Sequence, residues 1–369
     1  MKHLLTLPLL LPLLLLLTFL PSLNLLAMPA WNPSNDPKNV NAETETPSGI
    51  FQYNFDQLPL SGSTSYKPWT DTYWPSNSKG LANRWQTAAG AFYLISPSKN
   101  KILKMSQGEI AKLSPAEKYD IFVGDFNYAL TKSEKKRTSI LSPGWNGICH
   151  GWAPASYLFK EPNAVTVTSA DGIKLPFGSS DIKGLLSLLQ GNYNSGKTYM
   201  AGNRCNQRLT IHTSDSRKDN CLDINAGAFH VIMANRLGIL GRAFVIDRST
   251  DYQVWNQPVY AFRSNVIRSQ MPTTDAAIGT VEESVIHTTI TYTDEIDPNF
   301  YPQNKPGRED FRIDKEYTYI LELDANKNII GGKWISKDYP DFLWVQEKAP
   351  FTGRFAALES LYKFSTENK

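Results

Sequence analysis

The residues best equipped for chemistry lie in Gly144-Trp145-Asn146-Gly147-Ile148-Cys149-His150-Gly151-Trp152-Ala153-Pro154-Ala155. The chain has three cysteines, and outside the cytosol cysteines tend to pair. Cys205 and Cys221 are near enough in sequence to bridge, which leaves Cys149 as the odd thiol. A nucleophilic thiol needs a base for its proton, surroundings that favour the thiolate, and donors for the oxyanion formed on attack. Gly144 and Gly147 permit a turn before Cys149, and residues 152–159 read as helix, with Pro154 tolerated in an opening turn. Cys149 then stands at a helix N-terminus, where backbone amides favour negative charge. The opposing reading is a buried structural cysteine.

The base follows by elimination among five histidines. His3 belongs to a leader, and His150 points away from its neighbour on a helix. His212 falls in a polar loop between Cys205 and Cys221, and His287 lies in a strand pattern on the parity opposite its apolar residues. His230 remains. Residues 231–237 and 242–246 read as strands joined through Gly238-Ile239-Leu240-Gly241. A two-residue turn there sets His230 opposite Asp247, with Cβ atoms about 5 Å apart. The expectation is a Cys149–His230–Asp247 triad, against a hairpin pair at the surface.

Other elements frame that site. Met1-Lys2-His3, a nearly all-apolar run over residues 4–20, and small residues at Ala27 and Ala30 read as a signal peptide over residues 1–30. The alternative is an uncleaved anchor, disfavoured by Pro8, Pro12 and Pro21, and no second apolar run of spanning length follows. Residues 31–65 are polar and read as a linker or propeptide; residues 66–369 form the catalytic domain. A secreted or periplasmic protein is expected, with no stable membrane insertion once the leader is removed. The net charge of +3 is too small to imply a nucleic-acid partner.

Ser114-Pro115-Ala116-Glu117-Lys118-Tyr119-Asp120 predicts a capped helix. Residues 181–190 predict an amphipathic helix ending at Gly191. Residues 284–292 predict a strand, and residues 317–323 and 329–335 a hairpin. The hairpin turn, Asp324-Ala325-Asn326-Lys327-Asn328, superficially resembles a calcium loop, which needs Gly where Ile329 stands and a later Glu. Gly191-Asn192-Tyr193-Asn194-Ser195-Gly196-Lys197-Thr198 spells a phosphate loop, yet it follows a helix and precedes none. We therefore expect no cofactor and assign no metal ligands, and the sequence leaves calcium dependence open.

The order Cys149, His230, Asp247 resembles that of transglutaminases and their papain-like relatives. Residues 144–156, the stretch around His230, Lys67-Pro68-Trp69, residues 113–125 and Gly331-Gly332-Lys333-Trp334 are similar to the elicitor-type transglutaminases. Val254-Trp255-Asn256-Gln257-Pro258-Val259 resembles the start of the surface peptide by which plants recognise that enzyme; the match lapses at Tyr260. The resemblance implies an α+β fold with a papain-like/transglutaminase-like core, in which the helix carrying the nucleophilic cysteine packs on an antiparallel sheet. It also implies acyl transfer from protein glutamine to a primary amine, usually lysine, through a Cys149 thioester, so the partners are proteins with accessible Gln and Lys. His230 would protonate the departing ammonia and Asp247 would orient the ring. Trp145 and Asn146 are the nearest oxyanion donors, and Trp69, Trp74, Trp152 and Trp255 are candidate groove walls that keep water from the thioester. With a wetter groove the same triad gives a deamidase or a protease. A catalytically silent secreted protein, recognising partners through the Trp255 segment, is the alternative of another class.

Overall fold

The computed structural model describes residues 31–40, 51–87, 95–194, 196–204, 222–304 and 311–367. The expected signal peptide, His212, and the expected Cys205–Cys221 bridge lie outside the described residues. The helices are α1 (Lys99–Ile102), α2 (Gln107–Ala111), α3 (Pro115–Phe122), α4 (Ala129–Arg137), α5 (Cys149–Leu158), α6 (Ser179–Asn192), α7 (Ala226–Met233) and α8 (Leu358–Glu367). The strands are β1 (Ser61–Ser63), β2 (Val165–Thr168), β3 (Lys174–Phe177), β4 (Thr198–Gly202), β5 (Phe244–Asp247), β6 (Asn256–Gln270), β7 (Glu282–Thr293), β8 (Arg312–Leu323), β9 (Ile329–Trp334) and β10 (Phe342–Gln346). One antiparallel sheet runs β4-β10-β5-β6-β7-β8-β9, with β1 added to the edge of β6; β2 and β3 form a separate hairpin. Among the described residues no helix is long and apolar enough to cross a membrane.

Side chains alternate across a strand, so this sheet divides the interior into two cores. Val245, Phe342 and Trp344 face a core built from α3, α5 and α6, with Trp152, Leu185 and Leu189 at its centre. Phe244, Ile246, Leu343 and Val345 face the opposite way, into a core with Phe229, Ile232 and Met233 of α7. The expected helices and hairpin are present. Ser114 caps α3 in a reciprocal capping box with Glu117, and Pro115 occupies the first turn. The turn between β8 and β9 is closed by Asp324 Oδ1, which accepts from the amides of Asn326 and Asn328. The phosphate-loop letters join the end of α6 to β4, the reverse of the strand-to-helix order that such a site requires.

One expectation is overturned. Residues 226–239, read in part as a strand over 231–237 whose register set His230 opposite Asp247, are α7 followed by a π-helical turn over Ala234–Ile239. Asn225 starts the helix by accepting from the amides of Gly227 and Ala228. Every residue of α7 is buried, so no polar face revealed a helical period, and β-branched Val231 and Ile232 mimicked a strand. Asp247 therefore pairs across the sheet with Asn256, not with His230.

The described parts of residues 31–65, namely 31–40 and 51–65, pack against the body, as a propeptide-like segment would and a free linker would not. Val40, Phe51 and Leu58 belong to the α7-side core. Asn35 is fully buried, accepting from the amide of Asn225 and donating to Leu222 O. β1 lies along Ala261–Arg263 of β6.

His230 itself is a core group. Its Nδ1 meets Tyr319 Oη at 2.7 Å, and Tyr319 continues through Thr288 Oγ1 to Ser264 Oγ in a buried hydroxyl chain. Phe55 packs on the ring. Burial pushes this imidazole down to about 3, so it is neutral in the fold. The unfolded chain binds a proton near pH 6.5 that the folded chain refuses, so stability is present above 6.5 and lost as pH falls toward 3. In urea titrations His230→Gln should remove an acid-side slope of about 1.4 kcal/mol per pH unit in that window; identical slopes would mean the ring takes up a proton in the fold. Phe51→Ala should cost about 3 kcal/mol, whereas an unchanged midpoint would make residues 51–65 an appendage.

Candidate active site

Cys149 is the first residue of α5, preceded by Ile148, which offers no side-chain cap. The first amides of the helix are thus left to other acceptors. The approach is fixed by backbone contacts. Ile148 N donates to Tyr73 O at 2.7 Å, and a Cβ on Gly147 would overlap that same carbonyl. Gly151 presses against α6, where a Cβ would overlap Ser187 O. Pro154 lies inside the helix, beyond the opening turn; its missing N–H leaves the His150 carbonyl without the usual partner.

Cys149 is 5% exposed and borders a cavity of about 570 Å³. Trp145, Asn146, Arg204, Val254, Asn256 and Trp344 are among its walls. Asn256 Nδ2 donates to Sγ at 3.4 Å. The thiol donates to Val254 O at 3.6 Å. Trp344 Nε1 donates to Asn256 Oδ1 at 2.8 Å. The sequence reading missed Asn256 and Trp344 as site residues. Asn256 was visible only as a neighbour of Trp255, and the β10 strand carrying Trp344 is distant in sequence.

The triad expected from the sequence is divided by the sheet. Cys149 lies with α5 on the Trp344 face and His230 with α7 on the Phe244 face. No loop movement joins groups on opposite sides of a hydrogen-bonded sheet. Asp247 stays with the thiol, because its cross-strand partner Asn256 touches Sγ. Among the described residues no imidazole hydrogen-bonds this sulfur. His150 borders the cavity, burial lowering its basicity, and half-exposed His287 sits on β7 near Glu316 and Thr318.

The remaining candidates separate cleanly. Trp145 and Asn146 line the cavity, and Trp145 Nε1 is buried without a hydrogen-bond partner among the described residues. Trp69, Trp74 and Trp152 are core residues, at most 1% exposed, and do not form the groove. Their size fills the gap around α6; Trp74 packs where Gly184 leaves room. Trp255 is half-buried between Tyr73 and Arg248. Its segment is no exposed recognition arm, since Asn256, Gln257 and Val259 are buried within β6.

Electrostatics hold the thiol neutral. Burial pushes Cys149 up to about 11, the Asn256 donors oppose that, and the charges of Glu295 and Asp247 add to it. Burial also lifts Asp247 to about 7 against the Trp255 amide, which donates to Oδ1 at 3.0 Å. Asp247 Oδ2 has no hydrogen-bond partner among the described residues. Glu295 rises to about 8, again through burial, and accepts from Gln257 Nε2 at 2.8 Å. Among the described residues no group of three or more His, Cys, Asp or Glu side chains is placed to hold a metal ion.

The nucleophile is the thiolate, so alkylation of Cys149 should accelerate about tenfold per pH unit from 7 to 10. Peptide-resolved mass spectrometry after timed iodoacetamide exposure measures this. A plateau already reached at pH 8 would show a thiolate that this arrangement does not sustain.

Comparison with known proteins agrees with the architecture. The crystal structure of the GP42 transglutaminase from Phytophthora sojae is similar to this chain, with a TM-score of 0.65 and 22% sequence identity. The likeness covers 89% of this chain and 100% of that one, and at such identity it shows the fold. No curated protein matches this chain. The family pattern described as transglutaminase elicitor matches residues 124–362, more than half of the chain and the whole stretch from before Cys149 to beyond Trp344. This chain belongs to the transglutaminase elicitor family.

Proposed function

We propose that the protein is an extracellular thiol acyltransferase that moves the acyl group of a protein glutamine onto a primary amine, with Cys149 as nucleophile. The observation that carries this reading is the sulfur at the head of α5, bordering a cavity and receiving a hydrogen bond from Asn256 Nδ2. Family membership and the leader-like first thirty residues support it. The core is then papain-like in plan, with a cysteine helix laid on an antiparallel sheet.

In this scheme Sγ attacks the carboxamide carbon, ammonia leaves with the thiol proton, and a thioester remains. A neutral amine then attacks the thioester and returns a proton to sulfur. His230 takes no part, because it lies behind the sheet. Asp247 carries the proton, since burial tunes it to about 7 and its free oxygen faces no other donor among the described residues. Trp145 and Trp344 give the cavity aromatic walls that favour an amine over water at the thioester.

A second reading has its own observation. With no imidazole at the sulfur among the described residues, the chain would be a silent secreted binding protein of the same fold. Incorporation of a labelled amine into casein decides between them. Wild type should label casein, Cys149→Ala should not, and Asp247→Asn should fall at least about 100-fold. His230→Gln should retain turnover in its folded fraction. Equal labelling by wild type and Cys149→Ala would end the enzyme reading, free ammonia without labelling would indicate deamidation, and new peptide termini would indicate proteolysis.

A further inference from the structure

We propose that Asn256 is a catalytic residue, whose side chain, locked by Trp344, holds the Cys149 sulfur as an anion and then serves the oxygen of the acyl group. The inference deepens the acyl-transfer reading and rests on Cys149 being its nucleophile.

A carboxamide presents a donor at one end and an acceptor at the other. An indole N–H can only donate. Trp344 Nε1 lies 2.8 Å from one end of the Asn256 amide, so that end is Oδ1 and the NH2 group must face sulfur, 3.4 Å away. A thiolate has no hydrogen to give, so only this orientation suits it. Asn256 and Trp344 are 3% and 6% exposed, which keeps water from competing for these bonds.

Beyond the N-terminus of α5 and the Arg204 cation, which favour an anion, other groups near the sulfur oppose its ionisation or leave it unaided. Val254 O accepts the S–H on one side. Asp247, from β5, and Glu295, beyond the end of β7, bring negative charge. Tyr73 approaches from the N-terminal segment and feels the thiolate unfavourably. His150 follows on α5 with its basicity lowered by burial. Arg204 stacks over Trp145 across the cavity, its charge felt by Asp247. Asn256 is the side chain that donates a hydrogen bond directly to the sulfur among the described residues.

The same amide fits the next step. As Sγ bonds to the carboxamide carbon, the C=O electron pair moves onto oxygen, two bonds from sulfur. The sulfur no longer needs a donor, and Nδ2–H turns to the new oxyanion without leaving its Trp344 anchor. Collapse returns the pair to the carbonyl, breaks the C–N bond and expels nitrogen as ammonia with the proton that sulfur gave up.

Chloroacetamide alkylation of Cys149 in the full chain, followed against pH, tests the donor role without any glutamine substrate. Asn256→Ala should alkylate about tenfold more slowly at pH 8, with its profile moved to higher pH. Asn256→Asp should be slower still, because a carboxylate would face the sulfur. Trp344→Phe keeps an aromatic ring in the cavity wall while removing the Nε1 anchor of the Asn256 amide, and a several-fold loss is expected there. It also keeps the proposal testable where Asn256→Ala fails to fold, with thermal melts reporting folding. Unchanged profiles in folded Asn256→Ala and Trp344→Phe would overturn the inference, as would Asn256→Asp reacting as fast as wild type. Shifted profiles without amine incorporation by wild type would retain the donor and discard the acyl transfer; amine incorporation with unshifted profiles would do the reverse.

Discussion

The candidate site depends on one register, Asp247 opposite Asn256. Because side chains alternate along a strand, that register turns Asn256 toward α5 and Gln257 toward the other face. A slip by one residue would exchange them and leave the sulfur without its donor. The register is held from several directions. β6 pairs with β5 at its start, with β7 from Val259 onward, and with β1 at Ala261–Arg263. Pro258, which has no N–H to contribute, falls just before the β7 pairing begins, where a central strand can accommodate it.

The helical layer that carries the thiol is anchored by charge buried in an apolar setting. Lys118 of α3 and Asp181 of α6 form an ion pair with both side chains fully buried. Desolvation makes such a pair costly, and satisfied hydrogen bonds must offset it. Here Lys118 Nζ also donates to Ala111 O at 3.0 Å, and Asp181 accepts from Trp85 Nε1 and from the amide of Gly178. Asp181 thereby ties α3 to the start of α6, and α6 in turn seats α5. Removing one partner would strand a charge in the core at a cost of about 3–5 kcal/mol.

What the sequence disclosed followed from local chemistry. The cap at Ser114, the turn at Asp324 and the alternating pattern of β7 are each set by a few adjacent residues. Cys149 at a helix start was legible for the same reason, from glycines and the residues that follow. The failure at His230 has an equally definite cause. A helix buried on every side shows no amphipathic period, so α7 looked like a strand and a hairpin register was drawn through it. The segment over residues 31–65 was legible only as a linker or propeptide-like stretch from its Asn, Ser and Pro, while a few apolar residues such as Val40, Phe51 and Leu58 dock its described parts. Asn256 and Trp344 meet Cys149 only through sheet pairing, which no local pattern announces.

The glycine at position 151 carries a wider consequence. Main chain rests there directly on main chain, with α5 stopped by the carbonyl of Ser187. The depth of the reactive atom is therefore gauged by peptide groups, which cannot change rotamer, and not by the bulk of neighbouring residues. The lining of the cavity is thus decoupled from the placement of the sulfur. Thr198, Met200 and Gln346 on its rim are free to vary with the shape of whatever is received, while the attacking atom keeps its coordinates.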